Sequence, residues 1–149
     1  MSASQKEIRQ VPHSLHNKLG HLIRRLNQRM LATFGEKLVG FDISNVQFAA
    51  LEAIRTLEPT TQKDIATYIA MEPSNTHSLL KRLRDRKLIT IGVDRTDPRR
   101  NLVRLTDSGQ KLLSSVKPLE EQVEPSLLKP LTPSERKQFV KLIKKMVDA

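Results

Sequence analysis

The chain has 149 residues, a formal net charge of +10, no cysteine and an aromatic fraction of 3%. This length suits one ordinary domain with a real core. The lack of cysteine excludes disulfides, cysteine zinc sites and thiol chemistry, and the few aromatic residues argue against base stacking on single strands or RNA. No apolar run approaches the roughly 18 residues of a membrane span. Because residues 1–11 are polar and lack a signal-peptide core, we expect a cytoplasmic protein.

The positive charge is concentrated in one segment. Residues 72–106 carry 9 basic and 4 acidic side chains, whereas residues 1–71 carry 9 and 6, and residues 107–149 carry 8 and 6. The shortest segment therefore holds half of the excess charge, which favours a polyanionic partner. A basic protein without such a partner is the alternative reading.

The first part of the chain predicts three helices. Residues 12–38 form a long one, with an apolar stripe at helical spacing that consists of Leu15, Leu19, Leu22, Leu26 and Met30. Ser44 and Gln47 form a capping box that opens a second helix over residues 45–57. Thr61 caps a short helix that ends near Ala70, and Met71-Glu72 is then the turn of a helix-turn-helix.

The next helix, residues 73–86, is named here the reader helix. Pro73 suits its first turn, and Thr76, Leu79, Leu80 and Leu83 share an inward face. The other face offers short hydrogen-bonding side chains at its start and cations behind them, as a helix in a DNA major groove requires. The candidate DNA-contact residues there are Ser74, Asn75, His77, Ser78, Lys81 and Arg82. For a lone helix, a merely solvated face would be the simpler reading.

A basic hairpin after this helix favours the DNA reading. Two apolar runs, residues 88–91 and 102–105, flank a tip of residues 94–100. Arg95, Arg99 and Arg100 crowd this tip. We expect Asp94 and Asp97 to brace the turn and Pro98 to stiffen it. An arginine on a rigid tip suits a narrow, electronegative minor groove.

The last part of the chain predicts further amphipathic helices. Thr106 caps a long helix that Pro118 and Pro125 should bend or interrupt. Thr132 and Glu135 form a capping box with proline at the first helical position. The final helix carries an apolar stripe of Phe139, Leu142, Ile143 and Met146. The apolar stripes at both ends of the chain would lie in water unless another surface covers them.

At this point the residues match a family. The run Asp94-Arg95-Thr96-Asp97-Pro98-Arg99-Arg100, followed by Leu102-Val103-Arg104-Leu105-Thr106 and Gly109, resembles the wing and the following helix start of the MarR family of bacterial transcription regulators. Leu131-Thr132-Pro133-Ser134-Glu135 resembles the start of that family's last helix, and the order of elements agrees over residues 15–147. Pro98 departs from the family pattern, so we expect Arg99 to enter the groove.

The resemblance implies a mainly α fold with a small antiparallel β wing. Residues 1–149 would form one domain, with a winged helix-turn-helix module at 42–106 and dimerisation helices at 12–40 and 107–149. It also implies a homodimer that binds pseudo-palindromic double-stranded DNA and acts as a repressor.

The segment of residues 19–25, with Gln28-Arg29 and Gln47-Phe48, resembles the family branch that controls aromatic-acid breakdown. That implies release from DNA by a small aromatic acid, a phenol or an acyl thioester. The candidate effector-binding residues are His16, His21, Arg24 and Phe48, which offer imidazoles for a hydroxyl, a cation for a carboxylate and an aromatic wall. The alternative is that they are core or dimer-interface residues.

Other chemistry has less support. His13, His16 and His21 lie close in sequence, but no carboxylate stands at ligand spacing beside them, so we predict no metal site. No phosphate loop or nucleophile elbow is present, and we predict neither an enzyme nor a cofactor. Two other functions stay open: a non-specific architectural DNA-binding protein without an effector, and a metal-responsive regulator.

Overall fold

The computed structural model describes residues 15–149. A single 3₁₀ turn, Leu15–Asn17, precedes the helices. The helices are α1 (Leu19–Lys37), α2 (Asn45–Leu57), α3 (Gln62–Tyr68), α4 (Pro73–Asp85), α5 (Asp107–Glu120), α6 (Val123–Leu127) and α7 (Pro133–Val147), and the strands are β1 (Ile89–Val93) and β2 (Asn101–Leu105). The predicted fold class, mainly helical with a small antiparallel sheet, is confirmed.

The chain divides into two compact units. Among the described residues, the first comprises 15–36 and 122–149, and the second comprises Lys37–Glu121. Helix α5, which the sequence places among the dimerisation helices, belongs to the second unit. The assignment of residues 12–40 and 107–149 to dimerisation stays a prediction, and its residues 12–14 lie outside the described part of the chain.

The second unit is built around α2. This helix contacts α3, α4, α5 and β2, and its capping box forms as predicted, since Ser44 Oγ accepts from Gln47 N and Gln47 Oε1 accepts from Ser44 N. Phe48 lies on a further buried side of the helix. Val46, in the first turn of the helix, is 42% exposed. The largest side chains with less than 2% exposure are Leu51, Ile54, Ile65, Thr76, Leu80, Leu83, Ile89, Val103, Leu113 and Val116.

The reader helix is α4, and its predicted inward face is confirmed. Thr76, Leu79, Leu80 and Leu83 are all buried. Thr76 satisfies its hydroxyl within the helix by donating to the carbonyl of Glu72 at 3.0 Å, so this polar side chain is buried without losing its hydrogen bond.

The wing is the antiparallel hairpin of β1 and β2, in which Ile89 pairs with Leu105 and Ile91 with Val103. Val103 and Leu105 are buried and Arg104 between them is exposed, as strand alternation requires. On its other edge, β2 also pairs with the loop before α3, where Val103 N donates to Thr60 O at 2.7 Å. This pairing ties the wing to the helix-turn-helix.

The start of α5 lies against the start of the wing. Thr106 Oγ1 accepts from Gly109 N at 3.0 Å and donates to Lys87 O at 2.7 Å. A side-chain carbon on Gly109 would overlap the carbonyl oxygen of Leu88. This position in the helix therefore has room only for glycine.

The long helix predicted after the wing is interrupted between its two prolines, Pro118 and Pro125. Helix α5 continues through Pro118, and the break falls at Glu121–Gln122 before α6. In α5, Leu113 and Val116 are buried and Leu112 is only partly buried. The capping box of Thr132 and Glu135 forms as predicted at the start of α7.

The first unit leaves apolar side chains exposed along α1 and α7. Leu19 is 65% exposed, Leu22 46%, Leu142 50% and Met146 66%. Within residues 15–149, none of the helices combines the length and the hydropathy needed to cross a lipid bilayer.

Candidate nucleic-acid interface

A groove of about 780 Å³ lies between the helix-turn-helix and the wing. One wall is formed by α3 and α4, and the other by the wing. Its lining includes basic side chains from three separate segments: Lys63 from α3, Lys81 and Arg84 from the reader helix, and Arg99 and Arg100 from the wing tip. Among the described residues that line it, Asp64 is the only one with a carboxylate. The concave surface is therefore strongly cationic, as a phosphate-binding surface requires.

The outward residues of the reader helix divide between two flanks. All six predicted contact residues on it are exposed. His77 and Lys81 are one turn apart and line the groove. Asn75 and Arg82 lie two turns apart on the opposite flank, away from the groove lining, and Ser74 and Ser78 lie between the flanks. Ser78 Oγ donates to Ser74 O at 3.3 Å, which leaves its lone pairs available to a ligand.

The wing tip is braced by its two carboxylates, as the sequence predicts. Asp94 Oδ1 accepts from the backbone N of Thr96 at 2.9 Å and from its hydroxyl at 2.8 Å. Asp97 Oδ1 accepts from the backbone N of Arg99 at 3.1 Å. The backbone hydrogen bond from Thr96 lowers the pKa of Asp94 most, and the hydrogen bond from the Thr96 hydroxyl lowers it as well. The positive charge of Arg100 lowers this pKa further.

The three tip arginines do not share one surface. Arg99 and Arg100 line the groove beside the reader helix. Arg95 lies with Arg104, Thr90 and Leu102 around a separate depression on the hairpin. Arg99 Nε lies 3.4 Å from Asp97 Oδ1, yet the Arg99 side chain is 92% exposed. The brace therefore orients Arg99 without burying it.

Several groove residues were not among the predicted contacts, and three of them have long side chains that can donate hydrogen bonds to DNA: Gln62, Lys63 and Arg84. Arg84 follows Lys81 by three positions and His77 by seven, so it lies on the same face of the helix. The sequence pattern predicts it when that face is followed to the end of the helix. Gln62 and Lys63 belong to the cap of α3, and only the packing of α3 against the reader helix brings them to the groove.

Gln62 connects the two helices of the helix-turn-helix. Its amide Nε2 donates to the carbonyl oxygen of Pro73 at 3.4 Å. Its Oε1 lies 3.2 Å from Nδ1 of His77. One side chain thus contacts both the first residue of the reader helix and a candidate base-contacting residue.

The residues predicted to bind an effector lie in two places. In the first unit, the rings of His16 and His21 meet edge to face with centroids 5.2 Å apart. His21 Nε2 is shielded from solvent and has no hydrogen-bond partner among residues 15–149. Burial lowers the pKa of His21, and His16, Arg25 and Arg24 lower it further by charge repulsion. Arg24 is exposed, and Phe48 is buried in α2 of the second unit.

The residues between 15 and 149 contain no group of three or more His, Asp or Glu side chains that could hold a metal ion. His13, which the sequence groups with His16 and His21, lies outside the described residues.

The comparisons with known proteins agree on one family. Residues 41–100 match the model of the MarR family. A relative from Pseudomonas putida, the HTH-type transcriptional repressor NicR, is 29% identical over 138 residues, which are 93% of this chain and 87% of NicR.

Solved structures agree over nearly the whole chain. BpsR of Bordetella bronchiseptica, whose DNA binding is regulated by 6-hydroxynicotinic acid, superposes with a TM-score of 0.85 and 32% identity, over 93% of this chain and 99% of BpsR. MepR of S. aureus, solved as a DNA complex, superposes with a TM-score of 0.80 and 30% identity, over 88% of this chain and 97% of MepR. The predicted family is thereby confirmed: this chain belongs to the MarR family of winged helix-turn-helix transcriptional regulators.

Proposed function

We propose that this protein is a transcriptional repressor that binds pseudo-palindromic double-stranded DNA as a homodimer and leaves it when a small aromatic acid binds. The observation that carries the DNA-binding part is the cationic groove between the reader helix and the wing. The groove lies between a helix that fits the DNA major groove and a braced wing tip that carries arginines. DNA phosphates supply the negative charge that complements such a surface. This role places the protein in the cytoplasm, with the bacterial chromosome.

The proposed contacts follow from side-chain chemistry. Ser74, Asn75, His77 and Ser78 carry short hydrogen-bonding groups and would contact base edges or the flanking phosphates. The cations behind them, Lys81 and Arg82, would hold phosphates, and the newly found Arg84 and Lys63 extend that set. From the wing, Arg95, Arg99 and Arg100 would reach the neighbouring groove.

The homodimer is proposed from the exposed apolar stripes of α1 and α7. Leu19 and Met146, for example, are each about two-thirds exposed in the single chain. Burial of apolar surface contributes roughly 25 cal/mol per Å², so covering these stripes with a partner would stabilise the dimer by several kcal/mol. A two-fold dimer also presents two reader helices to DNA, so each half of a palindrome meets the same surface.

The effector is proposed to be a small aromatic carboxylate. Arg24 offers a cation for the carboxylate, and His21 offers a shielded ring nitrogen that has no hydrogen-bond partner within the described part of the chain. The proposal gains support from BpsR, which responds to 6-hydroxynicotinic acid. His16 contacts the ring of His21, and Phe48 stays a predicted aromatic contact.

The test measures fluorescence anisotropy of a labelled duplex that carries an inverted repeat from the gene's own promoter, with a scrambled duplex of equal length as control. We expect the repeat to bind at least about a thousandfold more tightly at physiological salt. 6-Hydroxynicotinic acid should release it, whereas hexanoic acid should not, because it lacks the ring.

The same assay separates the alternatives. Equal affinity for the repeat and the scrambled duplex would support an architectural DNA-binding protein and contradict the regulator. A response to zinc and chelator, without a response to aromatic acids, would support a metal-responsive regulator.

A further inference from the structure

Gln62 is a groove residue whose side-chain amide contacts two neighbours within the helix-turn-helix. The carbonyl oxygen of Pro73 can only accept a hydrogen bond. The group of Gln62 that faces it, at 3.4 Å, must therefore be the amide NH₂. Since the two halves of an amide lie on opposite sides of its carbon, the orientation of the whole side chain follows from this contact.

The amide oxygen then faces His77. Gln62 Oε1 lies 3.2 Å from Nδ1 of the imidazole. An amide oxygen can only accept, so Nδ1 must carry the proton. In a neutral imidazole the other nitrogen, Nε2, is then unprotonated and can only accept a hydrogen bond.

This unprotonated nitrogen belongs to a side chain at the DNA-facing surface. His77 is exposed and lines the groove. Among the hydrogen bonds of the described chain, His77 takes part through Nδ1 and leaves Nε2 for a ligand. Of the groups on base edges in the major groove, only two donate hydrogen bonds: the exocyclic amines of adenine and cytosine.

We propose that Gln62 is a positioning residue that fixes the tautomer of His77, so that Nε2 of His77 accepts a hydrogen bond from the exocyclic amine of adenine or cytosine. This rests on the proposed function, since it assumes that the reader helix meets base edges. Gln62 would influence base preference without contacting a base itself. A glutamine on the first helix of the motif would then set which bases a histidine on the second helix prefers.

The tautomer is tested first, in the free full-length protein at mildly alkaline pH. Long-range proton–nitrogen correlation spectra distinguish protonated from unprotonated ring nitrogens, and His77→Asn assigns the signal. We expect the proton on Nδ1 in the wild type and a mixture of both tautomers in Gln62→Met, which keeps the side-chain length but removes the amide. A proton on Nε2 in the wild type would overturn the proposal whether or not the protein binds DNA.

Base preference is tested next, on the preferred duplex with single base analogues. At each adenine or cytosine, the natural base is compared with the analogue that lacks the exocyclic amine. At one position per half-site we expect the analogue to weaken wild-type binding roughly threefold to tenfold, the value of one net hydrogen bond. The same analogue should cost nothing in His77→Ala and clearly less than in the wild type in Gln62→Met, where only part of the His77 population carries the proton on Nδ1.

Two controls separate positioning from mere stability. Gln62→Glu keeps an acceptor oxygen toward Nδ1 and should keep the amine preference, although it loses the donor to Pro73. Gln110→Met makes the same side-chain change on an exposed position of α5 and should behave as wild type. If Gln62→Met keeps the full penalty for the missing amine, the inference is wrong while the proposed function stands. If no duplex is preferred, the proposed function itself fails.

Discussion

The reader helix and the terminal helices have similar apolar periodicity but opposite outcomes in the folded chain. In α4 the periodic residues Leu79, Leu80 and Leu83 are at most 5% exposed. In α1 the periodic residues Leu19, Leu22 and Leu26 are 37–65% exposed. A stripe at helical spacing therefore predicts that a face will be buried, but it does not predict by what.

The difference follows from what each helix packs against. The reader helix lies between α2, α3 and the wing, all of them close in sequence. The terminal helices keep apolar faces that the described chain does not cover, and exposed patches of this kind mark interaction sites. One region thus supplies a charged surface, and the other supplies an exposed apolar face, which the proposed homodimer would bury.

The largest effect should come from placing charge on the apolar stripes. If these form a homodimer interface, Leu22→Asp combined with Leu142→Asp should weaken association by at least about 4 kcal/mol, or roughly a thousandfold, because two unpaired carboxylates would be buried. Sedimentation equilibrium measures this. Lys141→Asp, an exposed residue on the other side of α7, is the control and should stay dimeric. A dimeric double variant would place the interface elsewhere.

Gly109→Ala should destabilise the second unit by about 3 kcal/mol, because the new methyl group overlaps Leu88 O. Gly35→Ala is the matched control in α1, where the new methyl group meets nothing within 4 Å. It should stabilise the protein by about 0.5–1 kcal/mol through helix propensity. Urea unfolding of both variants gives the comparison, and equal stability of the two would contradict the close approach of α5 and the wing.

Arg99→Ala should weaken binding to the preferred duplex by roughly 1–3 kcal/mol if its exposed side chain reads a base edge or groove. Arg104→Ala removes the same charge from the same hairpin, but outside the groove lining. It should cost clearly less. Anisotropy titrations compare the two, and unchanged affinity for Arg99→Ala would remove the wing tip from the mechanism.

Lys81→Ala should weaken all duplexes alike and reduce the slope of log affinity against log salt by about one unit, because it removes one phosphate contact. Lys111→Ala on α5, also exposed, should leave the slope nearly unchanged. Titrations at several salt concentrations, on preferred and scrambled duplexes, provide the measurement. A loss confined to the preferred duplex would mean that Lys81 reads bases.

The smallest effect concerns the brace of the wing tip. Its hydrogen bonds with Thr96 hold the pKa of Asp94 below the ordinary value of 3.8. A carboxyl with a lowered pKa stabilises the fold fully above its ordinary pKa, and this contribution is lost as the pH falls through the lowered value. The stability advantage of the wild type over Asp94→Asn should therefore be constant at neutral pH and shrink below about pH 4. Thermal unfolding across this range measures it, and an advantage that grows on acidification would contradict the brace.

Local chemistry explains what the sequence could predict. The caps at Ser44, Thr61, Thr106 and Thr132 all form, because each depends on residues within one helical turn. The brace by Asp94 is equally local, since its partner is two residues away. Interactions between residues this close in sequence have a fixed local geometry, so the sequence alone predicts them.

Contacts between distant residues could not be predicted. Gln62 and His77 are 15 positions apart, and Arg86 donates to Gln47 across 39 positions at 3.2 Å. Helix ends were also placed one or two residues late: α3 ends at Tyr68, before Ala70 at φ 53°, and α4 ends at Asp85, before Lys87 at φ 60°. Such left-handed positions usually carry glycine, so alanine and lysine gave no signal there.

The most direct test of the central claim is selection of bound sequences from a random duplex library by the full-length protein, followed by sequencing. Two copies of one groove, related by two-fold symmetry, should enrich inverted half-sites whose centres lie about one helical turn, or roughly 10 base pairs, apart. Enrichment of a single half-site, or of no sequence at all, would contradict the account of a symmetric regulator that grips duplex DNA with its reader helices and wings.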